Sequence, residues 1–207
     1  MQGKFITIEG IEGVGKSTNI DFISSYLNSH GIDFITTREP GGTELAEKIR
    51  EILLNLQNEG VPEIAELLLF FAARSFHVDN VIKPALTEGK YVVCDRFTDA
   101  TIAYQGNGRG FNVDRINLIA NWVHKDIKPN MTILLDAPAE VGMERANKRG
   151  SRDRMESEKM SFYKRVRKGY LDLAKNEPKR FAIIDATKSL IEVQKDITKN
   201  FEILLNE

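Results

Sequence analysis

Gly10-Ile11-Glu12-Gly13-Val14-Gly15-Lys16-Ser17, followed by Thr18, places a lysine and two hydroxyls directly after a glycine-rich turn. This G-x-x-x-x-G-K-S pattern carries the chemistry of phosphate binding. A loop that wraps a phosphate must aim backbone N–H groups inward, where side chains would block the approach. Glycines at 10, 13 and 15 permit the backbone angles this needs. A helix starting beneath the phosphate adds its free N–H groups and the positive end of its dipole. Lys16 is expected to reach the β- and γ-phosphates, Ser17 to ligate Mg2+, and Thr18 to support the α-phosphate side.

Further charge lies on other loops. Arg38 opens Arg38-Glu39-Pro40-Gly41-Gly42, and Asp95-Arg96 directly follows the apolar run Tyr91–Cys94. Residues 145–154 hold Arg145, Lys148, Arg149, Arg152 and Arg154 against the single acid Asp153. These cations suit a second anionic group facing the γ-phosphate of ATP, because phosphoryl transfer needs positioning and charge neutralisation more than covalent help. The cluster at about 145–156 reads as a closing lid whose arginines could reach the transferring group and shut out water. A solvated helix end is the alternative. A phosphate acceptor, already dianionic at neutral pH, needs arginines more than a general base. An alcohol acceptor would need a base, for which Glu9, Glu39 and Asp95 are available.

Short apolar runs and amphipathic stretches must position these groups. Lys4–Glu9, Asp33–Thr37, Tyr91–Cys94, Met131–Leu135 and Arg180–Ile184 read as strands. Helical spacing falls between them: Asn19–Leu27, a stretch capped by Thr43 with Ala46, Ile49, Ile52, Leu53 and Leu56 as its stripe, Ile64–Phe76, Val78–Thr87, Val113–Val123, Ala139–Asn147, Ser157–Lys175 and Leu190–Leu205. Thr98–Gly110 reads as a polar, glycine-rich connection. Alternating strands and helices specify a five-stranded parallel sheet with helices on both faces, and the loops after successive strands converge at its C-terminal edge. The stretch Ile64–Phe76 is apolar almost all round, so it is buried on several sides, either within one core or partly at a subunit boundary. A homodimer is the expected assembly.

With 207 residues, 42% hydrophobic, and a net charge of −1, the chain suits one α/β domain spanning 1–207 and disfavours a general nucleic-acid binder. The single Cys94 excludes an internal disulfide and fits a reducing compartment. His30, His77 and His124 lack metal-ligand spacing and read as surface or packing residues. The longest apolar run, Leu67–Ala73, is too short to span a bilayer, and no signal-type run follows the N-terminus. A cytoplasmic protein is expected, with neither nucleic acid nor membrane as partner.

These residues resemble the bacterial thymidylate kinase family nearly end to end. The resemblance rests on the phosphate loop with Glu12 inside it, on Arg38-Glu39-Pro40-Gly41-Gly42-Thr43, on Phe70-Phe71-Ala72-Ala73-Arg74, on Asp95-Arg96-Phe97, on Ala103-Tyr104-Gln105-Gly106 with Gly108-Arg109-Gly110, and on Asp153-Arg154. It implies a P-loop NTPase fold and transfer of phosphate from ATP to dTMP with Mg2+, giving dTDP and ADP. It implies further that Arg38 and Arg96 hold the dTMP phosphate, that Phe70 stacks on thymine, and that Arg74 bonds its edge. Thr101 to Gln105 would line base and sugar, with Tyr104 crowding the 2′ position. Glu9 or Asp95 would meet the sugar hydroxyl or the water shell of the metal. A phosphate loop without arginine resembles the arrangement in which a lid arginine, Arg149, Arg152 or Arg154, supplies the catalytic cation.

Two rivals make different predictions. A deoxynucleoside kinase would use thymidine rather than dTMP. A GTPase-type switch would need Asn-Lys-x-Asp, but Asn147-Lys148 is followed by Arg149 and Gly150. On pattern alone Phe70 could be an ordinary core residue, Tyr104 a packing residue, Asp95-Arg96 a structural pair, and Glu39 a group that merely orients Arg38.

Overall fold

The computed structural model describes residues 3–55, 61–125, 127–148 and 158–206. Among them, five strands, β1 (Phe5–Glu9), β2 (Phe34–Arg38), β3 (Tyr91–Asp95), β4 (Met131–Asp136) and β5 (Phe181–Asp185), form one sheet in the order β2-β3-β1-β4-β5. Every pairing is parallel. β1 is central and buried along its whole length. That explains its composition: with helices on both faces, no position can be polar unless it finds a partner. Thr7 finds one in the Thr132 hydroxyl of neighbouring β4, 2.8 Å away.

Alternate residues of a strand feed opposite faces. Ile6 and Ile8 enter a large core with Ile23, Leu27, Tyr163, Val166, Ile197 and Phe201. Phe5 enters a second, with Val78, Ile82, Val92 and Phe97. The first core is covered by α1 (Lys16–Ser29), α8 (Met160–Asn176) and α9 (Leu190–Asn206). On the other face α4 (Lys83–Thr87) lines the second core, α3 (Glu63–His77) leads into it, and α2 (Glu44–Leu54) packs against α3. Three further helices, α5 (Thr98–Thr101), α6 (Val113–His124) and α7 (Ala139–Asn147), fill the remaining crossovers.

Thr43 caps α2 as its sequence predicts, its hydroxyl accepting the Ala46 N–H at 3.2 Å. α2 ends at Leu54, so Leu56 and the stop expected at Asn58–Gly60 fall outside the described residues. Its stripe is narrower than expected, since Ile52 is exposed while Ala46 and Leu53 are fully buried.

Two stretches depart from the sequence reading. Val78–Ile82 is π-helical and joins α3 to α4 without a break. Thr98–Gly110 is largely helical, with α5 followed by a π-helical segment at Ile102–Gly108. Wider turns of this kind shift side-chain spacing away from 3.6 and recur at functional sites. Here they carry Ala103, Tyr104 and Gln105 inward, all buried. α5 itself is anchored from below. Asp99 accepts two hydrogen bonds from Arg180, at 2.6 and 3.0 Å, and a third from Thr132.

Exposed apolar side chains include Leu45 and Ile52 on α2, Ile64 and Leu68 on α3, and Leu118 and Trp122 on α6, and α3 packs against both of the other two helices. The burial on several sides expected of α3 is therefore incomplete within one chain. No helix among the described residues is long and apolar enough to cross a membrane.

Candidate active site

The loop between β1 and α1 lies at the C-terminal edge of the sheet. Its backbone leaves no room for side chains at one decisive point. Gly13 has φ +73°, and a Cβ there would overlap the Gly142 carbonyl of α7. Glycine at 142 returns the favour, since a Cβ would come within 2.6 Å of the Glu12 carbonyl. α7 thus presses directly on the loop and fixes its shape.

A cavity of about 550 Å³ runs from this loop across the sheet edge. Its lining includes Gly13, Gly15, Lys16, Ser17 and Thr18 at one end and Phe70, Arg74, Thr101 and Gln105 at the other, with Glu12, Asp95, Arg96 and Tyr104 between. Gly10, Ile11 and Val14 shape the loop without lining the cavity, and the Ile11 and Val14 side chains belong to the core. Five basic side chains (Lys16, Arg50, Arg74, Arg96, Arg145) face three acidic ones (Glu12, Glu39, Asp95), so the lining favours anions.

The Lys16 ammonium rests on the loop, donating to the carbonyls of Gly10 at 3.3 Å and Ile11 at 3.0 Å. Burial, with Arg96 adding to it, lowers its pKa to about 8. Ser17 and Thr18 are exposed in the first turn of α1, where the helix N–H groups open outward.

Arg96 adopts φ 69°, a left-handed geometry uncommon for a side-chain-bearing residue, at the end of β3. Its guanidinium is locked: Nη2 donates to Glu12 at 2.9 Å and to the Tyr104 hydroxyl at 3.0 Å, and Nη1 donates to the Tyr170 hydroxyl at 3.1 Å. Tyr104 in turn donates to Glu12, 2.7 and 2.8 Å from its two oxygens. Glu12 therefore turns away from the cradle of the loop and toward the far half of the cavity.

Glu9 lies beneath this group and does not line the cavity. It accepts the Phe97 N–H at 2.8 Å and the Tyr170 hydroxyl at 2.7 Å. Burial raises its pKa to about 8, with Asp99 adding to the shift and Arg96 opposing it. Asp95 lines the cavity and has one buried oxygen, Oδ1, without a hydrogen-bond partner among the described residues.

At the far end Arg74 is almost fully buried. Its Nε donates to Glu39 at 2.6 Å and its Nη2 to the Thr101 hydroxyl at 2.9 Å. Its Nη1 is buried with no partner among the described residues. Phe70 is half-buried beside it. Gln105 Nε2 donates to Glu66 at 2.9 Å, which fixes the amide.

Arg38 does not line the cavity. Glu47 holds it at 2.8 Å, on a side chain that is half exposed. The cation that does enter on that side is Arg50 of α2, whose Nη1 donates to the Pro40 carbonyl at 2.9 Å. The sequence offered a signal for it: Ala46, Arg50 and Leu53 share one helix face at i, i+4 and i+7, which makes Arg50 a charge in an inward stripe. Arg145, expected with the lid cluster, sits on α7, donates to the Ala186 carbonyl at 2.8 Å and lines the cavity near the loop. Nor does Glu39 orient Arg38; it is turned inward to Arg74 and His77. Arg149, Arg152 and Arg154, and most of the expected lid at 145–156, lie outside the described residues.

Comparison with known proteins bears on the same residues. The family model for thymidylate kinase matches residues 8–197. A thymidylate kinase of Pseudomonas putida strain F1 is 52% identical over 197 residues, covering 95% of this chain and 94% of the relative. One of Methylococcus capsulatus is 52% identical over 203 residues, covering 98% and 97%. The crystal structure of thymidylate kinase from Ehrlichia chaffeensis superposes with a TM-score of 0.79 at 35% identity, covering 98% of this chain and 99% of that one. A parallel sheet with a glycine-rich loop at its edge is shared by many unrelated enzymes, but identity of this depth along almost the whole length is not, and the chain belongs to the thymidylate kinase family.

Proposed function

We propose that this chain phosphorylates dTMP to dTDP with Mg-ATP, the triphosphate lying on the loop at 10–17 and dTMP at the Phe70–Arg74 end of the cavity. One observation carries the reading. One cavity is lined by the phosphate-binding loop, by half-buried Phe70 and by buried Arg74, with Arg96 between them. An oxygen of the acceptor phosphate attacks the γ-phosphorus, and the bond to the β-oxygen of the leaving ADP breaks. Catalysis then consists of bringing two anions together and neutralising the charge between them.

The roles follow from position. Lys16 moves its three donors from the loop carbonyls onto the β- and γ-phosphates, and Thr18 supports the α-phosphate. Arg96 and Arg50 hold the acceptor phosphate. Arg38 joins them only by exchanging Glu47 for the phosphate. Phe70 stacks on thymine, while Arg74 and Gln105 bond its edge. Thr101 fixes Arg74, and Tyr104 closes the pocket beside the sugar. Arg145 serves the ATP end. Arg149, Arg152 and Arg154 are proposed to bring a further cation to the transferring group.

The residues present fit Mg2+. Ser17 offers an exposed hydroxyl at the loop, and Asp95 keeps a buried carboxylate oxygen without a partner among the described residues. Ser17 would ligate the ion and Asp95 would meet its water shell, while Glu9 stays one layer below. When bound, the ion neutralises charge on the phosphate oxygens.

The exposed apolar side chains on α2, α3 and α6 support a homodimer, since Leu118 and Trp122 stand 74% and 85% exposed in the single chain. A cytoplasmic location is consistent with the buried, unpaired Cys94.

An ADP-release assay with Mg-ATP across dTMP, dUMP, dCMP, AMP and thymidine tests the reading. Turnover with dTMP well above the others is expected. Turnover with thymidine but not dTMP would overturn it in favour of a nucleoside kinase.

A further inference from the structure

Behind Arg74 lies a polar chain that the reaction itself does not use. Glu39 follows β2, and its backbone N–H donates to the Asp95 carbonyl at 2.9 Å, which extends the ladder between β2 and β3. Its side chain is 4% exposed. One oxygen accepts from Arg74 Nε at 2.6 Å, and the other faces His77 Nδ1 at 2.9 Å. His77 is fully buried at the end of α3, and its Nε2 lies 2.6 Å from the Thr37 hydroxyl. Burial raises the Glu39 pKa, but the Arg74 charge and the hydrogen bonds from His77 and Arg74 outweigh it, so the group stays ionised. An ionised carboxylate only accepts, so Nδ1 carries the proton facing Glu39. In the neutral ring Nε2 then accepts from Thr37.

The ring also touches the loop that follows. Gly42 has φ +85°, and a Cβ there would lie 2.7 Å from His77 Nε2 and 2.8 Å from Thr37 Oγ1. Gly42 in turn donates its N–H to Glu47, the partner of Arg38. The imidazole therefore lies between the guanidinium that lines the far end of the cavity and the loop that follows Arg38.

We propose that His77 is a positioning residue for acceptor recognition: with Thr37 behind it, it holds Glu39 so that Arg74 is clamped at Nε and Nη2 and Nη1 is left for the acceptor base. A guanidinium has five donors. Glu39 and Thr101 occupy two of its three nitrogens, and only Nη1 is without a partner among the described residues. Without the histidine, Glu39 loses its second donor and can rotate, which loosens Arg74 at Nε and leaves it to Thr101 and the Phe71 and Phe97 rings. The inference rests on Arg74 contacting the base.

The test is steady-state kinetics of both substrates in His77→Phe, His77→Asn and Thr37→Val, with melting temperatures to confirm folding. His77→Phe keeps the ring and loses both bonds. It is expected to raise the KM for dTMP about tenfold or more, the range for a hydrogen bond to a charged group, while the KM for ATP stays within about twofold. His77→Asn keeps a donor close to the Nδ1 position and should recover most of the loss. Thr37→Val should show a smaller rise in the same direction, and it reports on the chain even where His77→Phe does not fold. In an Arg74→Ala background, His77→Phe should add little, because its effect passes through Arg74. Three results would overturn the proposal: an unchanged dTMP KM in His77→Phe, equal rises for ATP and dTMP, or full additivity with Arg74→Ala. If Arg74→Ala alone leaves the dTMP KM unchanged, the base-reading role of Arg74 is wrong. If Arg74→Ala is impaired and His77→Phe is not, only the positioning role fails.

Discussion

Arg96 Nη2 lies 2.9 Å from Glu12 Oε1, so the residue that follows β3 is tied by charge to the middle of the phosphate loop. Neither side chain is wide open to solvent, at 18% and 11% exposed, so the pair is not a screened surface contact. The Tyr104 hydroxyl completes a triangle with both. One acidic side chain inside a loop built for anions looks misplaced until this contact is seen. Its charge is spent on Arg96, which keeps that guanidinium at the junction of the two nucleotide sites.

Glu12→Ala should therefore weaken the acceptor more than the triphosphate. It removes the countercharge of Arg96, which is proposed to hold the acceptor phosphate, and the acceptor of the Tyr104 hydroxyl beside the sugar. A rise of about tenfold in the KM for dTMP is expected, with a smaller change for ATP. Glu12→Gln should be milder, because its amide oxygen still accepts. Substrate-saturation curves for both nucleotides check this, and a larger effect on ATP would contradict it.

Lys16→Ala should abolish turnover while leaving the melting temperature near that of the parent. The pH dependence is the sharper test. With its pKa lowered to about 8, Lys16 is charged below that value and loses its proton above it. The kcat/KM for ATP should fall as pH rises through about 8, since that parameter reports the free enzyme. Bound phosphates restore the charge, so kcat should hold to higher pH. In Lys16→Arg, slower but permanently charged, the alkaline limb attributable to this group should vanish.

Which parts were legible from sequence follows from the physics of each. The phosphate loop announces itself because glycine and lysine at fixed spacing have few other uses. The inner strands β1, β3 and β4 are legible because burial on both faces leaves mostly apolar runs, such as Ile133, Leu134 and Leu135 in β4. The π-helical segments were not, because a wider turn breaks the 3.6 period on which helix reading depends. Arg38 and Arg50 show the limit at the site. Sequence places both near the same loop, but only the path of α2 brings Arg50 into the cavity while Glu47 draws Arg38 away. His77 and Glu39 are 38 positions apart, and only tertiary structure makes them partners.

Arg50→Ala should raise the KM for dTMP by about ten- to a hundredfold, the usual cost of losing a charge-assisted bond to a phosphate. Thymidine, which has no phosphate, should compete with dTMP as well in the variant as in the parent. The inhibition constant of thymidine measures this directly. If it weakens in step with dTMP, Arg50 shapes the pocket as a whole rather than holding the phosphate.

Glu9 links the site to stability. Its pKa rises from 4.5 in the unfolded chain to about 8 in the fold, so the folded state binds more protons between those values. Stability from this group is fully present below about 4.5 and is lost as pH rises through about 8. His124 acts in the opposite sense at lower pH, because burial, with Arg74 adding to it, brings its pKa down from 6.5 to about 4. The fold therefore gains stability from His124 as pH rises from 4 to 6.5, which offsets Glu9 over that range. From 6.5 to 8 the Glu9 contribution should stand clear, and the denaturant midpoint should fall. Glu9→Gln keeps the shape, cannot ionise, and should flatten that limb while leaving the lower one. A parent protein whose midpoint is level from pH 6.5 to 8, or a Glu9→Gln variant with the same slope as the parent, would show that this carboxyl is already ionised in the fold.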